Sequence, residues 1–554
     1  MRYICWACCA LVAGLLFSCR STDQADQIYF NARIWTGRAD KPDASLLVVK
    51  DGRILFVGNG DYAQWKGPHT EVIDLHNRLV VPGFIDNHVH FLSGGFQLAS
   101  VDLRVAQTPA DFTRILGDFA GKLPASRWIT GGDWDHEAWG GELPRRQWID
   151  NVSARNPVFV SRLDGHMALA NSEALRLAGI TPQTPDPAGG TIVRDPATGE
   201  PTGILKDEAM SLVFKVIPDA STQELDEAFA RAQSHALSLG VTQVHDVSSM
   251  GGWTDLATYR RAHDAGQLGM RIYSFVPLSD WKELADYVIK NGKGDDMLHW
   301  GALKGFVDGS LGSTTAWFHA PYNDEPNTSG LIVTDTADLR RWIYSADSAA
   351  LHIGVHAIGD RANDWLLDVY ANAVQRNGKR DRRFRIEHAQ HLTPEAITRF
   401  AELGVIPSMQ PYHAIDDGRW AEKRIGATRC ETTYAFRDLL DAGAGLTFGS
   451  DWTVAPLSPL EGIYAAVTRQ TLDGKNPGGW VPRQKISVAE ALQCYTAHNA
   501  YAGWSENSSG KLQPGYLADF AVLSDDIFEI APEGIKEVQV LRTVVGGKTV
   551  FEKK

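Results

Sequence analysis

From residue 86 the chain reads Asp86-Asn87-His88-Val89-His90. Side chains of an extended strand alternate with a period of two, so His88 and His90 share a face and their imidazoles converge on one point. Such a pair also occurs on exposed strands and alone identifies nothing. Three later segments carry metal-ligating residues at the end of a short apolar run. They are His356 in Gly354-Val355-His356-Ala357-Ile358-Gly359-Asp360, His388 in Arg385-Ile386-Glu387-His388-Ala389-Gln390, and Asp451 in Thr447-Phe448-Gly449-Ser450-Asp451. If these runs are parallel strands of one closed barrel, their C-terminal ends ring a single opening, and residues distant in sequence meet at coordination distance. A metal explains the four histidines better than coincidence.

Lys304 extends the pattern. In Leu303-Lys304-Gly305-Phe306-Val307-Asp308, the residues Lys304, Phe306 and Asp308 alternate onto one face. An ammonium aimed into a barrel beside a cation is repelled and desolvated, which favours the neutral amine. A neutral lysine can react with CO₂ to give a carbamate whose two oxygens bridge two divalent metals. From residue types alone, a salt bridge from Lys304 to Asp308 is the simpler alternative.

The elements that must hold these groups follow from the period of the apolar residues. Residues 28–81 hold short β-like runs broken at Lys50-Asp51-Gly52 and Gly58-Asn59-Gly60, and the last fifty residues look alike. Two incomplete β units at opposite ends leave apolar faces and edges uncovered, so their simplest joint solution is one composite sandwich. Between them, strands are expected at 241–245, 271–276, 303–307, 353–356, 384–388, 405–409 and 446–449. Amphipathic helices such as 222–239, 337–350 and 361–375 separate them. With the strand ending near Ile85, the count is that of a (β/α)8 TIM barrel, an α/β fold. The expected organisation is a signal segment at 1–18, a sandwich from 19–82 and 500–554, and a barrel over 83–499. An insertion over about 92–217, where the alternation fails and Trp, Gly and Pro accumulate, follows the first strand and covers or lines the site.

The 554 residues include 54 Lys+Arg and 67 Asp+Glu, a net charge of −13. This leaves no basic footprint for nucleic acid. A small-molecule substrate is expected, and a homo-oligomer is compatible with the chain. Six cysteines cannot make a disulfide scaffold. Four of them, Cys5, Cys8, Cys9 and Cys19, lie in an opening that has Arg2 and then an apolar run to Phe17, too short to span a bilayer comfortably. Leu16-Phe17-Ser18-Cys19 resembles a bacterial lipoprotein signal, which implies acylation at Cys19 and a lipid anchor as the only membrane contact. Residue 20 is Arg and not Asp, so the expected address is the outer membrane, facing the periplasm. A plain signal peptide cleaved nearby is the alternative.

The ordered set of HxH after strand one, Lys on strand four, His on strands five and six and Asp after strand eight resembles the amidohydrolase superfamily of metal-dependent hydrolases. Val81-Pro82-Gly83-Phe84-Ile85-Asp86 and Gly510-Lys511-Leu512-Gln513-Pro514-Gly515 are similar to its junctions between sandwich and barrel. Residues 304–313, 164–172 and 199–203 are similar to the branch that includes N-substituted formamide deformylases. The resemblance implies that His88, His90, Lys304, His356, His388 and Asp451 bind one or two divalent ions, with zinc suited to imidazole-rich ligation and Lys304 open to carbamylation. It also implies that Asp451 acts as general base and then acid in cleaving an amide or other C–N bond of an N-formyl or N-acyl amine. Ester or lactone hydrolysis, deamination, or a lipid-anchored binding protein without catalysis are the rival functions. His166 and Trp134 are the expected substrate contacts outside the barrel. His245 is expected to be hydrogen-bonded in the interior, His391 not to be a ligand, and His352 to lie at the wrong end of the barrel.

Overall fold

The computed structural model describes residues 24–41, 43–162, 167–187, 190–248 and 251–554. The segment expected to be a signal, with Cys19, lies outside the described residues, as does His166. An eight-stranded parallel sheet forms the centre. Its strands are β1 (Phe84–Val89), β2 (Val241–Asp246), β3 (Arg271–Pro277), β4 (Leu298–Phe306), β5 (His352–Ala357), β6 (Arg385–His388), β7 (Ile406–Met409) and β8 (Thr447–Phe448). They lie in chain order, each paired with the next. Trp452, just past β8, bridges in parallel to Val89. Asp451 N–H donates to His88 O (2.8 Å) and His90 N–H to Trp452 O (2.7 Å). Closure of the barrel is therefore what sets the end of β8 against the HxH segment.

Parallel strands in a barrel are covered on both faces, and β2 and β6 are buried throughout, as is β3 up to Val276. The helices between them bury one face, and several carry a side-chain N-cap. Thr222–Ser238 opens on a capping box of Ser221 and Glu224 and buries Ala228, Phe229, Ala232, Ala236 and Leu237 on a single stripe. β4 starts earlier than its apolar pattern indicates. Leu298 and His299 pair with Ile272 and Tyr273, and Gly301, at φ 112°, interrupts the alternation before Ala302.

A six-stranded sheet runs in the order Lys548–Glu552, Val540–Val545, Phe520–Leu523, Leu79–Pro82, Arg33–Trp35, Asp43–Ala44, joining both ends of the chain. Phe520–Leu523 runs antiparallel to Leu79–Pro82 with Phe520 opposite Pro82. A four-stranded sheet of N-terminal strands supplies Tyr29, Leu47 and Val49, which pack with Ile34, Val80, Phe520 and Val544 of the mixed sheet in one apolar cluster. A buried ion pair from Arg271 on β3 to Asp519 (2.6 Å) ties this unit to the barrel.

The segment after β1, where the strand and helix alternation of the sequence fails, folds around a mixed six-stranded sheet of its own. Its outer strands are as short as Val101–Asp102, and Gly132 (φ 109°) breaks the register between Gly131–Trp134 and Phe159–Arg162, so no clean alternation survives in the sequence. Phe112, Leu116, Trp134, Ile149, Val160 and Leu169 form its core. Among the described residues, no helix is long and apolar enough to cross a membrane.

Candidate metal centre

His88, at the end of β1, is fully buried. Its Nδ1–H donates to Glu387 Oε2 (2.7 Å), which leaves Nε2 as a bare lone pair. Glu387 is held by Arg385, 2.7 Å away on the same face of β6, and by the hydroxyl of Ser408 (2.7 Å). The Nδ1–H of His388 donates to Gln410 Oε1 (2.8 Å), and the Nε2–H of His356 to Gly309 O (2.9 Å). Each ring is thus oriented through one nitrogen while the other stays open, which is how metal-binding histidines are prepared.

The open atoms converge. Donor atoms of His88, His388 and Asp451 lie within 4.8 Å of one another. Asp451 Oδ1 is 3.5 Å from His88 Nε2 and 3.3 Å from His90 Nε2. The ring of His356 lies 4.5 Å from that of His388. Both His88 Nε2 and Asp451 Oδ1 are buried without a hydrogen-bond partner. Such atoms are costly unless something binds them, and imidazole nitrogens with a carboxylate oxygen are the donor set of a divalent cation. The residues present fit a metal.

Electrostatics agree. Burial, reinforced by the Lys304 charge, pushes His88 down to about 4 and His356 down to about 3, and burial with His356 and His88 holds His388 well below the usual imidazole value. Neutral rings keep their lone pairs for coordination. Burial raises the Asp451 carboxyl, but His88, His90, His388 and His413 outweigh it and keep it well below the usual range, hence anionic. His388 (φ 74°) and Asp451 (φ 58°) are in the left-handed region, strain that costs about 1–3 kcal/mol per residue and collects at functional sites.

Lys304 is buried, and burial lowers its pKa against the opposing pull of Glu387 and Asp451. Its Nζ sits 5.0 Å above the Phe306 ring. The salt bridge to Asp308 does not form. That carboxylate accepts the backbone N–H groups of Trp317 (2.7 Å), Ile358 (3.0 Å) and Gly359 (2.8 Å), which turns it toward the loop after β5. A cavity of about 440 Å³ opens above the centre, reached by His90, Lys304, His356, His388 and Asp451 and walled by Phe306, Leu311, Ile358 and Trp420.

Trp134 is elsewhere. It is fully buried in the insertion, its indole N–H donates to Val160 O (2.9 Å), and its ring packs on Phe112. His245 bonds Arg385, His391 bonds Thr433, and His352 bonds Tyr273 and the Arg383 carbonyl, so all three are engaged by the protein. Cys430 and Cys494 are buried and unpaired. Sequence reasoning missed Glu387, Gln410 and His413. The first had a signal, since Arg385 and Glu387 alternate onto the interior of a barrel strand where apolar residues are usual. His413 lies on the helix Pro411–Asp417 and also lines the cavity.

The pattern of the amidohydrolase family matches residues 71–551. Protein LONG AFTER FAR-RED 3 of Arabidopsis thaliana is 41% identical over 95% of this chain and 92% of its own. The N-substituted formamide deformylase of Arthrobacter pascens is 29% identical over 96% of this chain and 99% of its own. The crystal structure of an uncharacterized metal-dependent hydrolase from Pyrococcus furiosus superimposes with a TM-score of 0.76 at 29% identity, covering 91% of this chain and all of that one. A closed barrel with open imidazoles and one carboxylate at its C-terminal mouth defines a metal-dependent hydrolase. The chain belongs to the amidohydrolase family.

Proposed function

We propose that the protein hydrolyses the C–N bond of an N-formyl or N-acyl amine. Asp451 carries this reading. It is a buried, anionic carboxylate with one oxygen unpartnered and turned to His88 and His90, below a cavity of size and apolar lining suited to a small amide. The similarity to a formamide deformylase supports the same bond class.

His88, His90, His356, His388 and Asp451 would hold the metal, with Lys304 adjacent and open to carbamylation. When bound, a divalent ion such as zinc supplies Lewis acidity, making water nucleophilic near neutral pH and polarising a carbonyl. Asp451 orients the attacking water and takes its proton as the new C–O bond forms. It then returns that proton to the nitrogen as the C–N bond breaks, releasing a carboxylic acid and an amine. Glu387, Gln410 and Gly309 hold the imidazoles in place throughout.

The test is turnover of a panel of N-formyl and N-acyl amines, with matched esters, by the zinc-loaded protein and its Asp451→Asn variant. The expected outcome is amide cleavage by the wild type and a loss of about 10²–10⁴-fold in the variant per bound zinc. Cleavage of esters alone, or near wild-type turnover by the variant, would count against the assignment.

A further inference from the structure

His413 has no role in the ligand set or the base, yet it stands in the same cavity. Pro411 opens its helix directly after β7, and the ring lies 6.3 Å from that of His388 at an interplanar angle of 11°. The side chain is 13% exposed, and its Nε2 is buried without a hydrogen-bond partner. Asp451 Oδ2 is 3.8 Å from that nitrogen, beyond hydrogen-bonding distance. The two oxygens of Asp451 therefore face different groups, Oδ1 toward His88 and His90 and Oδ2 toward His413. A buried nitrogen left open in this way is costly unless a ligand brings it an acceptor.

We propose that His413 is a further catalytic residue, whose Nε2–H donates a hydrogen bond to the carbonyl oxygen of the scissile bond. This rests on the hydrolase function proposed above. As water adds to the carbonyl carbon, that oxygen gathers negative charge, and a fixed donor binds it more strongly in the tetrahedral arrangement than in the planar substrate. The proton of the attacking water goes to Asp451 and then to the leaving nitrogen. His413 gains and loses none. The ligand class follows from the pairing: a planar carbonyl compound that becomes a tetrahedral oxyanion.

The deciding experiment uses the zinc-loaded full chain and methylphosphonate, a simple tetrahedral anion, with binding measured by calorimetry for wild type, His413→Asn and His413→Gln. Asparagine stops short of the Nε2 position and glutamine reaches it. The expected result is at least about ten-fold weaker binding in H413N, recovered in H413Q, at equal zinc content. On any amide that the wild type cleaves, kcat of H413N should fall by about 10²–10³-fold, with KM changed far less. Equal affinity in wild type and H413N, including no measurable binding to either, overturns the assignment, as does loss of zinc from H413N, which would make His413 a ligand. Wild-type inactivity on every amide, with the phosphonate affinities still differing, removes the amide chemistry and leaves the His413 contact standing.

Discussion

Glu387 shows how much of this centre depends on residues that touch no substrate. It receives the Nδ1–H of His88 and the hydroxyl of Ser408 while Arg385 balances its charge, all in the barrel interior. Glutamine keeps the size and an acceptor oxygen but removes the charge, so the hold on the His88 Nδ1–H weakens and Arg385 loses its counter-ion. Glu387→Gln is expected to weaken zinc binding by about 10–100-fold, measured by competition with a chelator. Unchanged affinity would show that His88 does not need this partner. At this scale the sequence was legible where a ligand ends a strand, because position on the strand fixes both height and direction. It was silent about Gln410, Gly309 and His413, whose closeness depends on where the chain turns after β7 and β4.

The barrel strands were readable as elements because they recur as short runs between amphipathic helices, and β2, β5 and β6 end at or beside a His or Asp. The insertion was not, since strands mostly of two to five residues, with glycines at positive φ even in the longer Pro201–Asp207, carry no period. That failure misplaced Trp134. Its burial beside Phe112 predicts that Trp134→Ala destabilises the protein by about 3–5 kcal/mol in denaturant unfolding, with KM little changed. A raised KM without loss of stability would return Trp134 to the substrate. The opposite end of the barrel carries a second consequence. Burial lowers His299 to about 4, and burial with the Arg385 charge lowers His352 to about 3, whereas an unfolded chain titrates near 6.5. Between those values the unfolded chain binds protons that the folded one does not, so stability rises with pH across the window and is lost as the solution is acidified from about 6.5 toward 4. Urea unfolding at pH 7, 6 and 5 should show this slope, and His352→Gln should flatten it. An unaltered slope would exclude His352 as a contributor.

At the scale of the whole molecule, the two chain ends form one mixed sheet, and the Arg271–Asp519 pair binds that sheet to β3 at the N-terminal end of the barrel, away from the chemistry. The sequence made this arrangement readable through its two incomplete β units, neither of which can cover its own apolar face. Above the opposite end, donor atoms of His88, His388 and Asp451 converge beneath the cavity. The most direct measurement is therefore the metal content of the purified full chain together with its turnover of an N-formyl amine, before chelation, after chelation and after adding zinc. The expected result is one or two divalent ions per chain, activity lost with the metal and restored by zinc. A chain that binds no divalent ion, or that cleaves the amide equally well after the metal is removed, would contradict the account.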